Sequence, residues 1–424
     1  MKVSIQSPPR GGTVKAVASK SHAHRVLIAA ALADKPTRIT CSDINDDIRA
    51  TVGCLEALGA RITDQDGGLT VVPLTRPLSA GPRTLNCGES GSTLRFMLPV
   101  ACALGADASF EMHGRLSQRP LSPLYEELAA HHCTLSPQGS NPLTVSGALT
   151  GGIYKIKGNV SSQFITGLLF ALPLLPEDSQ IDVLGKLESR PYVDLSLQVL
   201  KSFGIVIEER GGSFFIKGGQ QFKSPGSVTV EGDWSNAAPW LVLGAVSDTP
   251  VTITGLDLGS MQGDKSFIYV LQRFGAVVST DESGVTVSGG SLSAIDMGVR
   301  DIPDLVPMIT VVALAAEGQT RILSAARLRL KESDRLSATS ETLRTFGAQI
   351  TETHDSLLID GKNELHGGRV SSHNDHRIAM MAAVASVLCN EVVTIDQAEA
   401  VNKSYPRFFE DLKSLGGVVT EESA

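Results

Sequence analysis

Cysteine is scarce and scattered in this 424-residue chain: Cys41, Cys54, Cys87, Cys102, Cys133 and Cys389 form no CxxC pair. So sparse a set argues against a disulfide framework and against structural zinc, and reads as buried thiols in a reducing compartment. Excess positive charge is lacking too. With 37 Lys and Arg against 45 Asp and Glu, the formal charge of −8 excludes a nucleic-acid coat or a basic membrane-binding face. It leaves open small anionic ligands held by local cations. No apolar run approaches the ~18 residues of a membrane span, and the opening MKVSIQSPPRGG has no signal-peptide core. A cytoplasmic protein with neither a nucleic-acid nor a membrane partner is expected. Several site signatures are missing as well. The glycines of GESGST are not followed by GK[ST], no GxGxxG opens a helix, and neither HExxH nor GxSxG occurs. Neither a metal nor another cofactor is called for.

What the chain does have is internal repetition. LEALGARI (55–62) returns as LKSFGIVI (200–207), LQRFGAVV (271–278), LRTFGAQI (343–350) and LKSLGGVV (412–419). The last four glycines, Gly204, Gly275, Gly347 and Gly416, are 71, 72 and 69 residues apart, and Gly59 stands about two periods earlier. LAAHHCTL (128–135) fills the gap, with His132 in the glycine slot. Each copy reads as a helix end, a glycine cap and a β-branched strand. Short second strands such as GGSFFIKG and ESGVTVSG usually follow; the last copy runs to the C-terminus without one. A second, far more apolar helix series keeps the same period, beginning near Ser21, Ser90, Ser161, Ser235, Asp304 and Asp375. Helices apolar all round are core helices. Two independent patterns thus predict six units of about 70 residues, too many for one core and naturally divided three and three. The first strand could pair with either half.

Each buried helix has a polar front: ASKSHAHR, CGESGSTLR, NVSSQF, EGDWSN, RDIPDL and SHNDHR. Serine there is explained by capping alone. Cations are not, because a helix N-terminus is already positive. Yet Lys20, Arg25, Arg119, Arg190, Lys331, Arg335, Arg377 and Lys403 all fall at helix fronts. Their number implies an occupant rich in phosphate or carboxylate.

On these residues the chain resembles the 5-enolpyruvylshikimate-3-phosphate synthases, a family of enolpyruvyl transferases. The matching phrases are SKSHAHR (19–25), GESGSTLR (88–95), QRP (118–120), SSQF (161–164), SRPY (189–192), IPD (302–304), KESDR (331–335), NDHR (374–377) and NKSYP (402–406). The resemblance implies an α/β fold of two domains, each of three βαβαββ units with buried helices, an inside-out α/β barrel. One domain would be 12–230 and the other 1–11 plus 231–424, with the active site in an inter-domain cleft that closes on substrate. It further implies a monomer that transfers enolpyruvyl from phosphoenolpyruvate to the 5-hydroxyl of shikimate-3-phosphate. The route is addition–elimination through a tetrahedral intermediate, releasing phosphate on the way to aromatic amino acids.

Carried over residue by residue, the resemblance makes Lys20, Gly91, Arg119, Gln163, Arg335, Arg377 and Lys403 the phosphoenolpyruvate set. Lys20, Ser21, Arg25, Ser161, Ser162, Gln163, Ser189, Tyr192, Asp304 and Lys331 would meet shikimate-3-phosphate. Asp304 is the expected base for the 5-hydroxyl, and Lys20 and Glu332 the expected proton donors at carbon. A lysine crowded by cations would have a lowered pKa, suited to that task. Asp375 and His376 would support Arg377. Three positions depart from the family pattern: Glu89, expected to point away from phosphoenolpyruvate or pair with a cation, Arg327 and Arg190. Gly91, having no side chain, implies sensitivity to the family's inhibitor glyphosate. The alternative is the sister transferase acting on UDP-N-acetylglucosamine. It typically has Lys-Asn where this chain has Lys20-Ser21, and a loop cysteine for which Cys133 is poorly placed. A non-catalytic binding protein on the same scaffold would be expected to have lost Lys20, Asp304 or Glu332, and all three are present.

Overall fold

The six apolar segments form helices Lys20–Leu32, Gly91–Ala103, Ser162–Ala171, Trp234–Val246, Val306–Ala315 and His376–Ala385. Almost every residue on them is buried, as expected of helices with no polar face. The computed structural model describes residues 1–65 and 67–422. The shorter or more amphipathic partners are Asp46–Ala57, Leu124–Ala130, Arg190–Ser202, Phe267–Phe274, Arg335–Thr345 and Phe408–Ser414. All of the glycine slots that follow them have left-handed backbone, with φ of 108° at Gly59, 78° at Gly204, 107° at Gly275, 96° at Gly347 and 92° at Gly416. His132 takes the same turn at φ 71°, a conformation that costs a residue with a Cβ.

Among the described residues the strands form six open four-stranded sheets rather than a closed barrel. One pattern recurs. Gly152–Lys157 runs parallel to Ser179–Leu184 on either side of a buried helix; Ser213–Ile216 then adds antiparallel, followed by Ile207–Arg210. The chain divides into two compact units, Lys20–Val230 and Met1–Ser19 with Glu231–Ala424, and each holds three sheets. In the latter, the three buried helices share one continuous apolar core.

Three strands are supplied from outside their own repeat. Ser227–Thr229 lies parallel to Thr37–Thr40 and supplies the first strand of the first repeat. Gly12–Lys15 does the same for the fourth, parallel to Val251–Thr254. Lys2–Ser7 completes the sixth, pairing antiparallel with both Val393–Asp396 and Val418–Glu422. The last repeat's missing strand is therefore the first strand of the chain. The boundary expected at residue 12 shifts accordingly: the hydrogen bonds of Gly12–Lys15 keep it with residues 231–424, and the division follows Ser19. Among the described residues no helix is long and apolar enough to cross a membrane.

Candidate active site

In the Lys20–Val230 unit the polar fronts of three buried helices hold their cations mainly with neutral groups. Arg25 is 3% exposed and donates from Nε to Ser196 Oγ (2.9 Å), from Nη1 to the Ser21 carbonyl (2.6 Å) and from Nη2 to the Tyr192 carbonyl (2.9 Å). Its Nη2 also reaches Thr166 Oγ1 at 3.4 Å, and the guanidinium lies 5.0 Å over the Phe96 ring. None of these partners is a carboxylate, and burial pushes the Arg25 pKa down to about 9. Arg95, also buried, donates to Gln163 Oε1 (3.0 Å) and the Pro120 carbonyl (3.1 Å). Gln163 Nε2 in turn donates to Ser92 Oγ at 2.9 Å, so both ends of that amide are fixed. Gly91 lets two guanidiniums lie close to the backbone: a Cβ would be 2.5 Å from Arg119 Nη1 and 2.6 Å from Arg95 Nη1, so a side chain there would displace their ends.

Lys20 differs, with Nζ 2.8 Å from Asp47 Oδ2. Its expected surroundings of cations therefore include a carboxylate. Behind it His24 Nδ1 meets Thr51 Oγ1 at 2.7 Å, Thr51 meets Thr93 at 2.7 Å, and Thr93 donates to Ser90 Oγ at 2.8 Å. Burial, with the charges of Lys20 and Arg25, holds His24 well below the usual histidine range, so it is neutral.

In the other unit Lys331 and Arg335 sit in a lattice of acids, whereas Arg377 and Lys403 donate to neutral groups. Lys331 Nζ and Arg335 Nη1 both reach Asp304 Oδ1, at 2.8 and 2.7 Å. Arg335 Nη2 pairs with Glu332, and Arg335 Nε donates to Asp375 Oδ2 at 2.9 Å. Burial would raise the Asp304 carboxyl, but Lys331, Arg335 and Arg377 outweigh it and hold it well below the ordinary carboxylate range. So held, Asp304 is a weak proton acceptor. Burial also holds the Lys331 ammonium below its ordinary range; Asp304 opposes this, while Arg335 and Arg327 add to it.

The SSHNDHR segment has several separate tasks. His373 and Asn374 both have left-handed backbone, φ 52° and 53°. Ser371 Oγ and Ser372 Oγ brace that turn by accepting the His373 and Asn374 amides at 3.0 and 3.1 Å. The turned-out Asn374 carbonyl accepts Lys403 Nζ. Asp375 Oδ1 caps the helix by accepting the Arg377 amide at 2.9 Å, while its carboxylate grips Arg335 and takes Ser333 Oγ at 2.9 Å. His376 Nδ1 lies 3.9 Å from Asp375 Oδ1. Asp375 thus holds Arg335 by its side chain and Arg377 only through the backbone.

Several expected residues take structural partners. Ser161 caps Ser162–Ala171 by accepting the Gln163 amide (3.3 Å), and Ser162 is buried. Ser189 is buried at φ 55°, its carbonyl accepting the Tyr192 amide at 3.1 Å. Arg190 forms ion pairs with Asp194 and Glu209, both at 2.7 Å, which satisfy the charge that pointed to an anion. Glu89 lies over Gly114, where a Cβ would be 2.6 Å from Oε2. Two residues were missed. Arg95 was readable, one helical turn after Gly91 in a quoted motif; Asp47 looked like an ordinary acid in a helix's first turn. Among the described residues no three His, Cys, Asp or Glu side chains gather as a metal site requires. All six cysteines are free, and Cys133 is buried.

The fold is shared with solved enolpyruvyl transferases. The structure matches the enolpyruvyl transferase NikO from Streptomyces tendae with a TM-score of 0.79 at 19% identity, covering 100% of this chain and 99% of that one. It matches EPSP synthase from Acinetobacter baumannii with a TM-score of 0.82 at 25% identity, over 99% and 100% of the two chains. Residues 6–412 fit the family model of EPSP synthase (3-phosphoshikimate 1-carboxyvinyltransferase). The 3-phosphoshikimate 1-carboxyvinyltransferases of Clostridium kluyveri and Clostridium perfringens are each 42% identical to it, over 99% of this chain and 99% and 100% of theirs. The chain belongs to the EPSP synthase family.

Proposed function

We infer that this chain transfers the enolpyruvyl group of phosphoenolpyruvate to the 5-hydroxyl of shikimate-3-phosphate, releasing phosphate in the shikimate pathway. The match of residues 6–412 to the family carries the reading. Lys20, Arg119, Gln163, Arg335, Arg377 and Lys403 bind phosphoenolpyruvate, with Gly91 beside it. Ser21, Arg25, Ser161, Ser162, Ser189, Tyr192, Asp304 and Lys331 hold shikimate-3-phosphate, and Lys20 and Gln163 serve both ligands. The neutral partners of Arg25 support this assignment, because a phosphate arriving there meets a positive charge that no carboxylate has quenched.

In the addition step a proton reaches the methylene carbon from Lys20 or Glu332, while the 5-oxygen bonds to the neighbouring carbon and gives up its proton to Asp304. In the elimination step a proton of the new methyl group returns to the residue that supplied it, and the proton taken from the 5-hydroxyl leaves with the phosphate as its carbon–oxygen bond breaks. Phosphoenolpyruvate competes with Asp304 for Arg335, and that exchange raises the basicity of Asp304 when substrate is present. The protein works as a cytoplasmic monomer, to be checked by light scattering. A phosphate-release assay tests the activity. Release is expected with shikimate-3-phosphate and not with UDP-N-acetylglucosamine; the reverse result would overturn the reading.

A further inference from the structure

EGDWSN is the one polar helix front with no residue in the set assigned above. Its capping residue, Asp233, accepts the Asn236 amide at 2.7 Å, which starts helix Trp234–Val246. Ser235, on the first turn, receives both ends of one guanidinium: Arg377 Nη1 donates to its carbonyl at 2.7 Å and Nη2 to its Oγ at 2.6 Å. Both residues are buried, Ser235 at 7% and Arg377 at 5% exposure. The next residue grips a different segment. Asn236 Nδ2 donates to the Ser404 carbonyl at 3.1 Å, and Ser404 Oγ returns a bond to Asn236 Oδ1 at 3.3 Å. One turn further on, Trp240 Nε1 donates to Tyr405 Oη at 2.9 Å, and Tyr405 is itself bonded to Asp411 at 2.7 Å. The segment so held carries Lys403.

We propose that Ser235 and Asn236 are positioning residues for the two cations Arg377 and Lys403, and so set affinity for phosphoenolpyruvate without touching it. The proposal rests on the reading that both cations bind that ligand. A planar guanidinium bonded through two nitrogens to one residue has its plane fixed, whereas a single bond leaves it free to rotate. Pro239, four residues on, has no N–H to give the Ser235 carbonyl, which is left to Arg377 and whose direction the helix fixes; the hydroxyl is therefore the part that a side-chain change can remove. Asn236 acts at longer range, fixing the residue next to Lys403 rather than its ammonium. Rigid support of this kind is what a site needs to meet a small ligand without reorganising.

The test is steady-state kinetics on Ser235→Ala, Ser235→Cys, Ser235→Thr, Asn236→Ala and the reference Arg377→Ala. A lost bond to a charged group predicts that Ser235→Ala and Ser235→Cys raise KM for phosphoenolpyruvate about tenfold. KM for shikimate-3-phosphate should stay within about twofold, and kcat should change little. Ser235→Thr keeps the hydroxyl and should restore most of the loss; Asn236→Ala should show a smaller rise of about threefold in the same KM. Equal rises in both KM values, or no rescue by threonine, would mean that the serine merely supports the fold. An unchanged or lowered KM for phosphoenolpyruvate in Ser235→Ala, with Arg377→Ala impaired, would overturn the positioning role alone. A flat Arg377→Ala would overturn the role of the cation itself and the proposal with it.

Discussion

Two cations buried at helix fronts, Arg25 in one unit and Arg335 in the other, are held in opposite ways. Around Arg25 the Lys20–Val230 unit uses hydroxyls, carbonyls and an aromatic face. Around Arg335 the other unit uses three carboxylates, from Asp304, Glu332 and Asp375. Neutral partners satisfy the geometry of a guanidinium and leave its charge to attract an anion. Carboxylates cancel the charge and couple it to proton chemistry, because whatever draws the cation away changes the basicity of the acid left behind. The first arrangement suits binding, and the second suits binding joined to proton transfer.

The strongest way to break this contrast is Asp375→Ala. Asp375 is fully buried, and the substitution leaves Arg335, 1% exposed, without its innermost acid. Removing one member of a buried pair predicts a loss of about 3 kcal/mol, measured by urea unfolding. Ser196→Ala, which removes one neutral partner of Arg25, should cost about 1 kcal/mol. Similar losses for the two would erase the distinction.

Acid should separate further groups within the molecule. His24 has its folded pKa lowered, so the unfolded chain binds more protons below its ordinary value of about 6.5. Stability should therefore fall as pH drops below about 6.5, by at most about 1.4 kcal/mol per pH unit for that one group, and His24→Gln should remove that component. Asp304 also has a lowered pKa, but from an ordinary value near 4. Its contribution is present above that pH and is lost as pH falls below it toward the folded pKa. A wild-type curve flat from pH 7 to 5, or a His24→Gln curve with an unchanged slope there, would count against the buried neutral histidine.

The smallest effect concerns the repeat itself. His132→Gly relieves left-handed backbone at the one degenerate slot and should stabilise the chain by about 1 kcal/mol, offset in part by the lost 3.0 Å contact of His132 Nδ1 with Thr150. Gly59→His, the reverse change at a regular slot, should destabilise by a similar amount. No gain from the first change would mean that the histidine's contacts repay its strain.

The sequence by itself determined the six repeats, the two helix series and even the irregular slot at His132, because helix periodicity and left-handed caps are local properties of the chain. It also indicated most of the cations, since Lys and Arg at helix N-termini conflict with local electrostatics and so stand out. Only the tertiary structure decided which cations have a distant acid beside them: nothing near Arg190 in the chain marks Glu209 as its partner, and nothing near Lys20 marks Asp47. It likewise assigned Ser235 to Arg377, 142 residues away, and gave the first strand of the chain to the last repeat. Those decisions rest on pairing between distant segments. Packing sets such pairings, and local sequence does not encode them.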